Sequence, residues 1–391
     1  MNLNPNPVKM VHIADIHFGA IDPRKELEIL SEQFINKISQ MPFDILSIDG
    51  DLFDRKFSAN SMAISCAIEF VNMCANLCLK NNATMVMISG TESHEAGQLS
   101  LFYGLGEAFG IECFIVEHTQ FINTKGLKVL CIPEEYGRGA SYYDTFLKQT
   151  YDLAFVHGTI AGAIYGKDEE ALGGAREPVF SLEAFGGCRG CIISGHVHTA
   201  QCLRGYMYYV SSPIRYRFGE EEEKGYAIVL YNPISYRHYY QFMPIKSFRY
   251  DTINIGDIVN VLSHDADLND PNILIDALKK FCDDKDDIYI RLDCSGISVT
   301  VQQILMQYLH EHKKEGEHIK LFKTTREMTD SSQIATATVD EQGAEYAAAQ
   351  GLGFLLNDAI DPFTKFVMYM NYSEQNEKFI DVDELKKLLS E

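Results

Sequence analysis

The stretch His-Ile-Ala-Asp-Ile-His-Phe-Gly, residues 12–19, carries an aspartate and a histidine two residues apart, directly after a short apolar run. A run of this kind predicts a buried β-strand. Asp15 and His17 therefore stand where the chain leaves a strand. Asp and His are also common in turns, so this pair alone is more typical of a turn than of a metal site.

The same arrangement recurs further along the chain. Four more clusters follow apolar runs: Gly50-Asp51 with Asp54, Ser93-His94-Glu95, His157-Gly158, and Gly195-His196-Val197-His198. Ligands at the carboxyl ends of strands converge at one edge of a sheet, even when they are distant in sequence. Each cluster alone has an ordinary structural explanation, but five in one order favour a two-metal hydrolase.

Between these clusters, apolar runs that predict strands alternate with helical patterns, of which residues 63–80 form the clearest. The predicted strands include 45–48, 84–88, 127–132, 153–156 and 191–193. The later strands predicted at 207–210 and 226–230 have no helix between them, so the sheet should finish with antiparallel pairs. We therefore predict an α/β fold, a two-sheet sandwich flanked by helices, with the site at the strand ends.

The ordered clusters resemble the calcineurin-like metallophosphoesterases. Three further stretches resemble the SbcD-type nuclease subunits, the bacterial and phage counterparts of the meiotic-recombination nuclease: residues 12–19, Gly-Asp-Leu-Phe-Asp at 50–54, and Ser-Ser-Pro-Ile-Arg-Tyr-Arg-Phe-Gly-Glu at 211–220 with Glu-Lys-Gly-Tyr at 223–226. The resemblance covers residues 8–250 and is looser beyond them.

This resemblance implies two divalent ions, Mn2+ being the usual one. It assigns Asp15, His17 and His198 to the first ion, His157 and His196 to the second, and Asp51 to a bridge between them. Mixed imidazole and carboxylate ligation suits Mn, Fe or Zn better than Mg alone. His94 matches the catalytic histidine, which contacts the phosphate or protonates the leaving group. Asp54 is expected to orient a ligand or His94, unless it is simply a turn residue.

One segment departs from the family. The usual Gly-Asn-His is replaced by Gly-Thr-Glu-Ser-His at residues 90–94, so that Ser93 takes the place of the metal-binding asparagine. A hydroxyl is a shorter and poorer ligand than an amide, and Thr91 or Glu92 could substitute for it. The departure therefore concerns the second metal position and not the fold.

Composition bears on the partners. The formal net charge of -21 argues against a protein that wraps nucleic acid by bulk electrostatics. Between residues 203 and 249, however, basic residues alternate with tyrosines, and Arg215, Arg217 and Arg237 are candidate DNA contacts. Tyr-rich alternation is also typical of an ordinary sheet.

The chain divides into three expected domains: the metallophosphoesterase domain (1–249), a small α/β domain resembling the DNA-capping domain (250–323), and a linker with a helical tail (324–391). In the second, strands are predicted at 288–292 and 319–322, with a helix over 301–315. The two tail helices are short and apolar on one face, so they should need a partner surface. They either dock on their own protein or, as the resemblance implies, bind a coiled-coil ATPase subunit of SbcC type.

No uninterrupted apolar run reaches the length of a membrane span, and residues 1–10 lack the apolar core of a signal peptide. We expect a cytoplasmic protein of a bacterial cell or phage-infected host, with no membrane contact. The ten cysteines are expected to be reduced core residues. Cys188 and Cys191 have CxxC spacing, but without a second pair a zinc or redox role is the weaker interpretation.

Together these features and the resemblance predict a metal-dependent DNA nuclease. The resemblance implies exonuclease action on duplex ends and endonuclease action on single strands or hairpins, in DNA repair and recombination. By resemblance it is a homodimer that works with the coiled-coil ATPase. Two alternatives stay open: a stand-alone phosphoesterase for a small substrate, and a non-catalytic DNA-end scaffold with a degraded second metal site.

Overall fold

The computed structural model of the protein describes residues 7–95, 97–165, 169–170, 178–254, 270–282, 288–293, 301 and 304–305. The tail helices and the strand predicted at 319–322 lie outside these residues. The helix predicted over 301–315 is described only at residues 301, 304 and 305, which are helical.

Two six-stranded sheets form the centre of the described part of the chain. Sheet I contains, in spatial order, β16 (Arg237–Ile245), β15 (Lys224–Asn232), β1 (Val8–Ile13), β2 (Ile45–Asp49), β3 (Thr84–Ile88) and β4 (Cys113–Val116). Sheet II contains β13 (Gln201–Leu203), β14 (Met207–Tyr209), β12 (Ile192–Gly195), β7 (Leu153–His157), β6 (Leu127–Ile132) and β5 (Gln120–Thr124).

Parallel pairing dominates the middle of both sheets. In sheet I, β1 to β4 are parallel, whereas β15 runs antiparallel to both β1 and β16. In sheet II, β14, β12, β7 and β6 are parallel, and β13 and β5 are antiparallel edge strands. The carboxyl ends of the parallel strands are therefore the places where ligands can gather.

Helices cover the outer faces of the sheets. They are α1 (Pro23–Leu30), α2 (Asn36–Ile38), α3 (Met62–Asn81), α4 (Glu92–Glu95), α5 (Leu105–Phe109) and α6 (Ala140–Leu147). Helix α7 (Pro271–Cys282) belongs to a smaller βαβ unit that follows the two sheets in the chain. A π-helical turn (Ser31–Ile35) joins α1 to α2, and 3₁₀ turns occupy Gln98–Phe102 and Leu182–Phe185.

Three apolar layers hold these elements together. One contains Phe34 and Phe70 and lies between the helices and sheet I, and a second, with Met10 and Phe155, fills the space between the sheets. The third, which includes Tyr143 of α6, covers the outer face of sheet II. The predicted two-sheet α/β sandwich flanked by helices is confirmed.

Helix α3 follows the expected pattern closely. Ser61 caps its start by accepting a hydrogen bond from the Ile64 amide, and Asn82 ends it with a φ of 50°. Contrary to the sequence-based expectation, α3 is by length and composition apolar enough to span a membrane, yet 56% of its most apolar window is buried. Such burial is typical of a core helix, and its contacts with sheet I account for its apolar composition.

A smaller βαβ unit follows the two sheets. It comprises β17 (Arg249–Asn254), helix α7, and β18 (Ile288–Asp293), which pairs parallel to β17. The predicted strand at 288–292 is therefore present. The remaining short strands are β8 (Thr159–Ile160), β9 (Ile164–Tyr165), β10 (Glu169–Glu170) and β11 (Val179–Phe180).

Candidate metal centre

Strands from both sheets deliver histidines and carboxylates to one place. Asp15 and His17 follow β1, Asp51 follows β2, His157 ends β7, and His196 follows β12. Because these strands belong to two different sheets, the site forms only when the sheets pack on each other.

The backbone at these positions is unusual. Asp15, His17 and Asp51 have φ values of 53°, 53° and 51°, and His196 has 87°. Residues other than Gly rarely adopt this left-handed backbone conformation, and each one that does reduces the free energy of unfolding by about 1–3 kcal/mol. The cost falls on the residues that turn inwards at the strand ends, which marks this edge as a functional site.

The first ligand group consists of Asp15, His17 and His198, which lie close enough together to hold one ion. The Nε2 atoms of His17 and His198 are 3.0 Å apart. The Asp15 carboxylate accepts the His196 amide at 2.8 and 3.1 Å, which ties the loop after β1 to the loop after β12.

The second ligand group consists of Glu134, His157 and His196. Glu134 Oε2 lies 3.4 Å from His196 Nδ1 and 4.0 Å from His157 Nε2. The sequence analysis missed Glu134, although the signal was present, since Glu134 comes two residues after the predicted strand 127–132. Its position after Pro133 resembles an ordinary turn.

Asp51 lies between the two groups. Its Oδ2 atom is 3.4 Å from His157 Nε2 and 3.7 Å from His17 Nε2. The Thr91 amide donates to its Oδ1 at 2.6 Å, which fixes the carboxylate from the other side. Asp51 therefore faces a ligand of each group, as a bridging carboxylate must.

His157 is held in one orientation. Its Nδ1 contacts the Asp49 carbonyl at 2.8 Å, so Nδ1 carries the proton and Nε2 points into the site. That Nε2 atom is fully buried and has no hydrogen-bond partner among the residues that the structure describes. A buried nitrogen of this kind needs an explanation, and a coordinated cation supplies one.

The electrostatics of the site also favour a cation. Burial lowers the pKa of His17 to about 3, which keeps its imidazole neutral. Burial also disfavours charge on His157, but the carboxylates of Asp51, Asp15 and Glu134 outweigh it and raise the pKa of His157 to about 10. The proton on His157 thus compensates negative charge that a metal ion would otherwise balance, so metal binding should displace it.

The residues of both ligand groups fit metal binding. Two atoms about 2.1 Å from one ion in tetrahedral or octahedral geometry lie roughly 3.0–3.4 Å apart. Several distances within the two groups, such as 3.0 Å for the first and 3.4 Å for the second, fall in that range. Histidine and carboxylate groups able to bind metal are therefore present, as a metallophosphoesterase requires.

His94 lies beside the first ligand group, with its ring centroid 4.7 Å from that of His17. Its Nδ1 donates to the backbone carbonyl of Asp54, so this orienting bond comes from the main chain and not from the Asp54 side chain. The Asp54 carboxylate lies close to His17 and His94 and forms an ion pair with Arg55 at 3.6 Å. Burial raises the pKa of Asp54.

The structure distinguishes the three replacements for the asparagine. Ser93 and Glu92 are exposed on α4, whereas the half-buried Thr91 reaches the site. The Thr91 hydroxyl donates to Glu134 Oε2 at 2.7 Å and lies 3.3 Å from Asp51 Oδ2. Thr91, not the expected Ser93, is therefore the residue of this segment at the second ligand group.

Two residues of the 211–224 segment, Glu220 and Lys224, hold His198 in place. Glu220 contacts His198 Nδ1 at 3.3 Å, which leaves the Nε2 atom of His198 facing His17. The buried Lys224 donates to the His198 carbonyl at 2.8 Å. Burial opposes ionisation of Glu220, but the contact with His198 and the charge of Lys224 lower its pKa to about 2.

The three candidate DNA contacts lie in different surroundings. Arg215 binds the backbone carbonyls of Glu221 and Glu222 at 3.1 and 2.7 Å, which is a structural role. The Arg217 side chain is 74% exposed beside Glu220, near the first ligand group. Arg237 pairs with Asn232, at the end of sheet I away from the site.

Cys188 and Cys191 show no sign of a metal or redox site. Burial raises the pKa of the Cys188 thiol to about 12 and that of Cys191 well above its usual value. Cys188 Sγ contacts the Asp152 and Cys191 carbonyls at 3.7 and 3.5 Å. Both are reduced residues of the protein interior.

Comparison with known proteins gives one relative by sequence. The chain is 24% identical over 235 residues to "Putative phosphoesterase 244L" of Invertebrate iridescent virus 6, covering 57% of this chain and 76% of that protein. This similarity supports a phosphoesterase activity in general and does not specify the substrate. No family model matches the chain.

Solved structures show only distant likeness. The match to one crystal structure, at 14% sequence identity, covers 61% of this chain and 99% of the other chain, with a TM-score of 0.37. The protein of unknown function AQ665 from Aquifex aeolicus, also 14% identical, covers 46% and 94% with a TM-score of 0.21.

Proposed function

We propose that the chain is a metal-dependent phosphodiesterase that cleaves DNA. The observation that supports this most directly is the placement of Asp51 between two groups of metal-binding side chains, with His94 beside the first. His94, His196 and His198 are only partly buried, so a substrate can approach them. His157, Asp15 and Asp51 are buried and form the floor of the site.

Two bound divalent ions would activate water near neutral pH and neutralise charge on the phosphoryl oxygens. Asp51 Oδ2 faces a histidine of each ligand group, and the Thr91 amide holds the carboxylate there by donating to Oδ1. His94 keeps the proton on Nδ1 in its bond to the Asp54 carbonyl, so Nε2 is the atom that faces the substrate. As the water oxygen bonds to phosphorus, the water releases a proton to solvent, and as the ester bond breaks, the Nε2 proton of a protonated His94 would go to the leaving oxygen.

DNA as substrate, Mn2+ as the ion, exonuclease and endonuclease action, a homodimer and an SbcC-type ATPase partner are all parts of this proposal. They rest on the resemblance of residues 12–19, 50–54 and 211–226 to SbcD-type subunits. The proposed ATPase-binding tail, residues 324–391, lies outside the described residues.

The test is Mn2+-dependent cleavage of an end-labelled DNA duplex and of a single strand by the purified protein. Asp51→Ala and His94→Ala should abolish cleavage, whereas His238→Ala should leave it unchanged because His238 lies on β16, away from the metal centre. Cleavage that survives in both Asp51→Ala and His94→Ala would place the chemistry elsewhere.

A small-substrate phosphoesterase is the second candidate, and one observation favours it. A pocket of about 470 Å³ beside Glu134 has several glutamates in its wall, including Glu92, Glu117 and Glu135. Such a wall repels a polyanion. Hydrolysis of bis(p-nitrophenyl) phosphate without DNA cleavage, even with the coiled-coil ATPase and ATP, would support this candidate. Hydrolysis of neither substrate would support the scaffold.

A further inference from the structure

We propose that Glu134 is a third carboxylate ligand of the metal centre and makes it selective for singly charged phosphodiesters over doubly charged phosphomonoesters. This inference rests on the proposed function, and it names the residue that replaces the missing asparagine together with the substrate class that the replacement favours. The five sequence clusters do not include this residue.

Glu134 is held with one oxygen facing the second ligand group. Its Oε1 atom accepts a hydrogen bond from the Tyr136 hydroxyl at 2.8 Å, while Oε2 accepts from the Thr91 hydroxyl at 2.7 Å. The same Oε2 is 3.4 Å from His196 Nδ1. The unpartnered, fully buried His157 Nε2 lies on the same side, 4.0 Å away. These three atoms can surround one cation.

The position of Glu134 also explains why the altered 90–94 segment need not spoil the site. A Cβ atom at Gly90 would lie 2.1 Å from Asp51 Oδ1, so the chain passes directly against the bridging carboxylate there. Thr91 follows and uses its hydroxyl as a donor towards Glu134 and Asp51. The oxygen ligand is then supplied from the end of β6 and carries a charge, where an asparagine would be neutral.

That charge changes the balance of the centre. Two divalent ions carry four positive charges, and the carboxylates of Asp15, Asp51 and Glu134 carry three negative ones. One positive charge is left, instead of the two that a neutral amide would leave. A phosphodiester group is a monoanion and matches this charge, whereas a phosphomonoester dianion exceeds it.

The adjoining pocket has the same preference. Besides Glu134, it is lined by Glu92, Glu117 and Glu135, against the arginine Arg138. A phosphomonoester would bring a second negative charge towards this wall. The nucleoside or other uncharged part of a diester can occupy the pocket without that cost.

The experiment compares the full-length protein with Glu134→Gln, which removes the charge but keeps the shape. Glu112→Gln is the matched control, because Glu112 likewise accepts hydrogen bonds from two hydroxyls, those of Thr84 and Thr124, and belongs to neither a ligand group nor the pocket wall. Mn2+ binding is measured by calorimetry and by electron paramagnetic resonance of the free ion. Thermal unfolding in EDTA establishes that each variant is folded.

Wild type and Glu112→Gln should bind two Mn2+ ions, and in Glu134→Gln the weaker ion should bind about tenfold or more less tightly. The ratio of kcat/KM for bis(p-nitrophenyl) phosphate to that for p-nitrophenyl phosphate should also fall in Glu134→Gln. Unchanged affinity for the weaker ion, or an unchanged ratio, overturns the inference. If the binding result holds but wild type hydrolyses neither ester, the proposed function fails while Glu134 remains a metal ligand.

Discussion

The two ligand groups of the metal centre use the same imidazole chemistry but are built differently. The first group comes from motif positions at the ends of β1 and β12 and is supported from behind by Glu220 and Lys224. The second depends on Glu134, at the end of β6, and on Thr91. The first group thus consists entirely of motif positions, whereas the second combines the motif residues His157 and His196 with Glu134, which belongs to no motif.

The strongest test addresses the point where the two groups meet. In Gly90→Ala, the added Cβ would lie 2.1 Å from Asp51 Oδ1 and 2.2 Å from the Asp51 amide nitrogen, so the bridging carboxylate must move. We expect loss of both Mn2+ sites and a fall in phosphodiester hydrolysis of about 10³-fold. Gly139→Ala, where no atom lies within 4 Å of the added Cβ, is the control. Retention of both ions by Gly90→Ala would contradict this account of the shared carboxylate.

The supports of the first group should make the metal-free protein sensitive to acid. The contact with His198 and the charge of Lys224 outweigh burial and lower the pKa of Glu220 to about 2 in the folded chain. This stabilisation is present above the unfolded pKa of about 4.3 and is lost as the pH falls towards 2. Unfolding by denaturant across this range should show a loss on the order of 3 kcal/mol, reduced in Glu220→Gln. The same dependence in wild type and Glu220→Gln would refute this assignment, and the exposed Glu28→Gln serves as control.

Glu220→Gln should also separate the two groups in metal binding. Loss of the Glu220 charge weakens the contact that orients His198, while Glu134 and His157 of the second group keep their contacts. One Mn2+ ion should therefore bind about 10–100-fold less tightly while the other is unaffected. Calorimetry on Glu220→Gln and Glu134→Gln, singly and combined, measures this. Weakening of the same ion in both variants would show that the groups do not act separately.

The smallest expected effect concerns the substrate side. Arg217 is exposed beside the first group, whereas Arg237 lies at the far end of sheet I. Arg217→Ala should raise the KM for DNA about threefold to tenfold, more at low salt, and Arg237→Ala should change it less than about twofold. Equal effects of the two variants would mean that DNA does not approach from the first group.

The sequence predicted the features that depend on local pattern. Residues 63–80 were expected to be helical, and the helix runs from Met62 to Asn81. The strand at 84–88 was predicted with the bounds observed for β3. Apolar periodicity and caps determine such elements, and both can be read within a few residues.

What the sequence could not provide depends on contacts between distant segments. Glu134 belongs to the site because β6 pairs with β7, and β7 with β12. That strand order cannot be read from the residues around 134. The choice of Thr91 over Ser93 is similar, since it follows from the close passage of Gly90 over Asp51. Both are consequences of tertiary packing and carry no short-range signal.

The origin of the ligands at separate strand ends has a consequence for how such a centre can diverge. The ligands come from the ends of five different strands, β1, β2, β6, β7 and β12, while the sheets that bring these ends together are held by separate apolar layers. A loss in the loop after β3 can then be compensated by a gain in the loop after β6 without any change in the core. Among related chains, we therefore expect covariation: an acidic residue at the position of Glu134 where the asparagine is missing, and no need for one where it is retained.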